Sequence, residues 1–146
     1  MKKLSSVFYM WVGLGFGILA VLMMFVPTVY AARTLSAAQM FWGYGQYGGA
    51  WPAFMGYMFI LIGALMTGVM ALPFIQPSVK TEKIVLISSL VLTLAGMILV
   101  GLIYVEYSAN NGPYRYFDYF LAGYYLTLIF AAILAACDVM ALVLDW

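Results

Sequence analysis

Four apolar stretches, at about 7–30, 52–74, 84–104 and 117–144, take up most of this chain and leave few places for a polar surface. Each is about as long as the roughly 20 residues needed to cross a hydrocarbon core. Inside lipid every backbone N–H and C=O must find its partner within the segment, and a helix does this. Composition agrees: 67% of residues are hydrophobic, 8% are charged, and the mean hydropathy is +1.06. A soluble domain carries about 25% charged residues. The expected fold is therefore all-α, a single integral membrane domain over 1–146 built as an antiparallel four-helix bundle.

Proline and glycine mark the span ends. Pro52 suits the first position of a helix, where its missing N–H is not needed. Pro73 and Pro77 close the second span, and Asn110-Asn111-Gly112-Pro113 is a turn before the fourth. The short connection 76–83 makes spans two and three a tight hairpin, and Pro27 is expected to bend the end of span one slightly. The opening Lys2-Lys3 and the later Val29-Tyr30-Ala31 resemble a signal peptide, but the apolar run between exceeds the roughly 7–15 residues of a signal core. With the N-terminus inside, Lys2, Lys3, Lys80 and Lys83 are cytoplasmic and Arg33 and Arg115 are external. That bias predicts both termini in the cytoplasm. The absence of N-x-Ser/Thr sequons fits a prokaryotic plasma (inner) membrane.

The same residues exclude several chemistries. A net charge of +1 gives no basic field for nucleic acid. Cys137 is the single cysteine, so neither an intramolecular disulfide nor a CxxC pair can form; it reads as a small buried helix residue. Histidine is absent, which removes bis-histidine haem, most zinc chemistry and Ser-His-Asp hydrolysis. No cofactor or metal is expected. Small multidrug transporters need a glutamate in the first span, where residues 7–30 hold no acid. Claudins and MARVEL proteins share the four-span topology, but the claudin Trp…Cys…Cys loop pattern does not occur, and no family is assigned.

Small residues recur at helical spacing in every span: Gly13, Gly17 and Ala20; Gly56 and Gly63; Ser89 and Gly96; Ala131/Ala135 and Ala132/Ala136. Such stripes let helix backbones approach closely in lipid. They are read as holding the chain's own four helices together, with a seam between copies as the alternative. Met55, Met58, Met66 and Met70 are read as gap-filling rather than as a copper path, which would want repeated Met motifs with His or Cys nearby.

The tyrosines are polarised: all but Tyr9 fall in the predicted outer half, joined by Trp42 and Trp51. Aromatic belts normally decorate both interfaces. The external loop 31–51 concentrates the signal, first in a segment 34–41 expected to form a short interfacial helix capped by Thr34 or Ser36, then in Trp42-Gly43-Tyr44-Gly45-Gln46-Tyr47-Gly48-Gly49-Ala50-Trp51. Glycines allow tight turns and the aromatics supply flat faces with polar handles. The loop is expected to fold as a lid over the bundle end or to dock a partner. Candidate contact residues are Trp42, Tyr44, Tyr47 and Trp51, with Arg33 from this loop, Arg115 from the second loop, 105–116, and Glu106 and Asp118, which flank that second loop. Arg115 and Asp118 are spaced to pair if helix four starts early.

Asp138 is the one ionisable residue expected inside a span, and such groups are functional candidates. It is expected near the inner boundary, reaching water or pairing with Lys80 or Lys83. Taken together, the residues predict a non-enzymatic accessory or scaffold subunit that binds a lipid, another membrane protein or a copy of itself through its outer aromatic face. The alternatives are a small oligomeric transporter or channel with Asp138 or Glu106 on its path, and a lipid-modifying enzyme using Glu106 and Asp118.

Overall fold

The computed structural model describes residues 4–25, 27–30, 34–36, 51–75, 78–101, 119–120 and 122–144. Its elements, in chain order, are α1 (Leu4–Leu22), a 3-10 turn (Met23–Phe25), β1 (Pro27–Tyr30), β2 (Thr34–Ser36), α2 (Trp51–Ala71), α3 (Val79–Gly101), β3 (Tyr119–Phe120) and α4 (Ala122–Leu144). At 1.5 Å per residue the helices are between about 28 and 35 Å long, which matches a hydrocarbon core of about 30 Å. All four are long and apolar enough to cross a membrane. The chain is a multi-pass helical membrane protein.

The helices form a ring in which α1 packs on α2 and α4, and α3 packs on the same two; α2 and α4 face each other across the diagonal. One pattern explains the ring. The inward residues are Ser6, Met10, Gly13, Gly17 and Ala20 on α1, and Gly56, Ile60, Gly63, Thr67 and Met70 on α2. On α3 they are Glu82, Leu86, Ser89, Thr93, Gly96 and Val100, and on α4 Thr127, Ala131, Leu134, Asp138 and Ala141. Each series steps by four and three residues in turn, the 3.5-residue repeat that keeps one seam facing a partner along its length.

Close approach along these seams depends on glycine. A Cβ on Gly96 would stand 2.5 Å from the Gly56 carbonyl oxygen, and one on Gly56 would stand 2.8 Å from that of Gly96. The stripes at 13/17/20, 56/63, 89/96 and 131/135 face into the bundle, whereas Ala132 and Ala136 face outward. Lipid-facing positions carry large apolar side chains, among them Phe8, Trp11, Leu65, Ile98 and Val143. Methionine is used on both sides, with Met70 buried and Met55 exposed.

Two local features set the ends. Ser78 caps α3: its Oγ accepts the Thr81 N–H at 3.2 Å, and its carbonyl accepts the Glu82 N–H at 3.0 Å. The helix therefore starts at Val79 rather than near Ile84, and takes Lys80, Glu82 and Lys83 into its first turns. At the opposite end the bundle carries a small antiparallel sheet of order β2-β1-β3. Pro27 pairs with Ser36, Val29 with Leu35 and Phe120, and Tyr30 with Thr34 and Tyr119, with an irregularity between Pro27 and Val29. This sheet joins the chain leaving α1 to the chain entering α4.

The sheet corrects three expectations. The first span does not stay helical to residue 30; it ends at Leu22 and passes through the 3-10 turn into a strand. Residues 34–36 are a strand, not the start of an interfacial helix, and the fourth helix begins at Ala122 rather than near 117. Pro27 is the physical cause at the first site, since its ring would clash with the helical carbonyl four residues earlier.

Candidate functional site: a buried carboxyl node on the bundle axis

The four seams bring one carboxyl group to the axis. Asp138 on α4 is fully buried, at 0% exposure. Thr67 on α2 donates its hydroxyl to Asp138 Oδ1 at 2.6 Å, across the diagonal of the ring. Ser89 on α3 places Oγ 2.7 Å from Asp138 Oδ2 and 2.8 Å from the carbonyl oxygen of Gly63. The two hydroxyls are themselves 2.8 Å apart. Three helices thus meet in one hydrogen-bonded knot. On the fourth, Gly13 of α1 leaves room: a Cβ there would lie 3.1 Å from the Cys137 Cβ and 3.6 Å from Thr67 Cγ2.

Along the helices the node is close to the depth expected for Asp138, with about 9 Å of helix between Asp138 and Leu144 and about 15 Å between Val79 and Ser89. The expected pairing of Asp138 with Lys80 or Lys83 is not what the structure shows, and at 0% exposure the carboxyl does not reach the surface. Its hydrogen-bond partners are the hydroxyls of Thr67 and Ser89. The reason is the seam: position 138 continues the inward series 127, 131, 134, so its side chain points to the axis, while Lys80 is exposed. A buried carboxyl is costly unless donors replace its water, and the two hydroxyls do so.

Further polar groups share the interior. Thr93, one turn beyond Ser89 on α3, is 0% exposed, and its Oγ1 has no hydrogen-bond partner among the described residues. A Cβ on Gly63 would lie 2.7 Å from Thr93 Oγ1 and 3.3 Å from Ser89 Oγ, so both hydroxyls close on the same glycine. Toward the sheet end, Tyr57 Oη and Thr127 Oγ1 are 2.9 Å apart, and Tyr124 donates to the Gly101 carbonyl at 3.0 Å. Toward the turn end, Glu82 is 4% exposed on the Ser89 stripe, and Ser6 donates to the Ala141 carbonyl at 3.4 Å. Among the described residues no group of three or more His, Cys, Asp or Glu is placed to hold a metal ion.

Of the residues singled out in the sequence, Asp138 is at the centre of this node, and Cys137 beside it is buried. Trp51 opens α2. Its side chain lies outside the described residues, as do Arg33, Trp42, Tyr44, Tyr47, Glu106, Arg115 and Asp118. Tyr57, counted with the outer aromatic set, lies toward the sheet end as a fully buried core residue, while Tyr125 is exposed and stacks edge-on against Tyr124. Sequence reasoning missed Thr67, Ser89 as a ligand of the carboxyl, Thr93 and Glu82. The signal was the four-three spacing that places Glu82, Ser89 and Thr93 on one stripe and Asp138 on another.

On the outside, Ile62, Leu65, Met66, Val69, Met70 and Val85 line an open apolar groove of about 350 Å³ between α2 and α3. No model of a known protein family, no curated protein and no solved structure matches this chain.

Proposed function

We propose that the chain is a non-enzymatic membrane subunit that presents its aromatic loop to a partner at the membrane surface. The observation that carries this reading is that ordered elements flank the loop on both sides. β2 ends at Ser36 and α2 begins at Trp51, so the segment with Trp42, Tyr44 and Tyr47 is anchored at one side on the sheet and at the other on the bundle. The sheet links the α1 and α4 ends, and the axial node ties α2, α3 and α4. Holding both ends of a loop lowers the ordering cost of binding through it. Aromatic side chains are the usual anchors of protein interfaces, which favours a membrane protein as the partner.

The test is co-purification in mild detergent of the wild-type chain and a variant with Trp42, Tyr44 and Tyr47 all changed to alanine. The expected result is a partner that is recovered with the wild type and lost with the variant, at equal amounts of folded subunit. Identical co-purification by both chains would sink the reading.

A further inference from the structure

The axial node has a composition that suits one kind of ligand. Its oxygens are the two of the Asp138 carboxyl, the hydroxyls of Thr67 and Ser89, and the Gly63 carbonyl, all linked by contacts of 2.6–2.8 Å. Thr93 adds a sixth oxygen, buried, without a hydrogen-bond partner among the described residues and turned to the same Gly63 notch. The two hydroxyls of the knot supply two hydrogens, yet four contacts lie at hydrogen-bonding distance. A proton on the carboxyl would bring a third, with the Ser89 hydrogen shared between the Gly63 carbonyl and Asp138 Oδ2. With that proton the closed node is neutral, and Thr93 is left over.

We infer that this node is a monovalent cation site, at which Na⁺ replaces the Asp138 proton and recruits the Thr93 hydroxyl as an additional ligand. The exchange balances: one proton leaves the carboxyl as one cation joins it, and the buried charge stays at zero. Neutrality is what selects the valence. A divalent ion on a single carboxylate would leave a net charge buried in lipid, which is heavily penalised. Softer metals want imidazole or thiolate, whereas these ligands are all oxygen. A carboxylate surrounded by hydroxyls is a hard, all-oxygen set, the opposite of what the softer metals take.

The surrounding titratable groups do not replace this chemistry. Cys137 neighbours Asp138 on α4, Glu82 and Lys83 lie toward the turn end of α3, Tyr57 lies toward the sheet end of α2, and Tyr9 is on α1. The carboxyl's hydrogen bonds go to Thr67 and Ser89 instead. The inference stands apart from the role given to the aromatic loop.

The test is thermal unfolding of the full chain in detergent, titrated with NaCl at constant ionic strength against choline chloride, from pH 5 to pH 9. Sodium is expected to raise the Tm where choline does not, and the apparent sodium affinity is expected to fall as the pH is lowered and protons compete. Asp138→Asn should abolish the sodium response. Because that variant removes the carboxyl from the closed knot and can fail to fold, Thr93→Val is the deciding one. It leaves every hydrogen bond of the closed node in place, so a purely structural node predicts an unchanged sodium titration. A cation site predicts affinity weakened about tenfold, the loss of one ligand to a charge. Equal Tm values in sodium and choline at every pH, or a Thr93→Val titration that overlays the wild type, would overturn the inference.

Discussion

Glycine 96 and glycine 15 have the same side chain and opposite surroundings. A Cβ on Gly96 meets the Gly56 carbonyl at 2.5 Å and Ile60 at 2.8 Å, while one on Gly15 meets nothing within 4 Å. Gly96→Ala must push α2 and α3 apart, and overpacking of this kind costs about 1–3 kcal/mol. Gly15→Ala removes a flexible residue from a helix and is expected to stabilise by about 0.5–1 kcal/mol. Reversible unfolding of both variants in mixed detergent with SDS measures the difference, and equal stabilities would refute the close contact. These small residues were legible as inward because glycine every seven residues has few other uses in lipid. The hydroxyls were not. A threonine on an apolar helix can satisfy itself on its own backbone, so Thr67 and Thr93 look the same in sequence whether they face the axis or the lipid.

At the scale of elements, the four helices were readable because length and apolarity suffice for a span, but their ends were not. In an apolar run, the change from helix at Leu22 to strand at Pro27 produces no change of polarity to read. Pro27 alone marked it, and the β-branched Thr28 and Val29 that follow suit a strand better than a bend. The start of α3 was missed for the opposite reason. Lys80, Glu82 and Lys83 look like a loop by charge, whereas Ser78 followed by Thr81 is a capping pattern that outweighs it. Ser78→Ala should therefore loosen this helix start and lower stability by about 1 kcal/mol. Hydrogen exchange of the Thr81 amide is the direct measurement, and unchanged protection there would show that the cap is idle.

For the whole molecule the question is whether the ring of four helices stays closed, and the chain contains its own reporter. Cys137 is buried beside the node, with its Cβ against Gly13 of α1, so its thiol is covered only while α1 and α4 remain together. Labelling by a small maleimide must wait for the bundle to open, and its rate tracks that opening rather than surface access. The expected result is no labelling over hours in mild detergent, with either a membrane-permeant or an impermeant reagent, and full labelling in SDS. Breaking the node links the residue scale to this one. Ser89→Ala leaves Asp138 with one hydroxyl in place of two, and loss of a buried hydrogen bond to a polar partner costs about 1–3 kcal/mol. If opening of the whole ring limits labelling, that loss should speed it by roughly five- to a hundredfold, while Ala132→Ser on the outward face should leave the rate unchanged. Equal rates for Ser89→Ala and the wild type would mean that the α1–α4 seam opens without the axial node, and that the node does not hold the ring together.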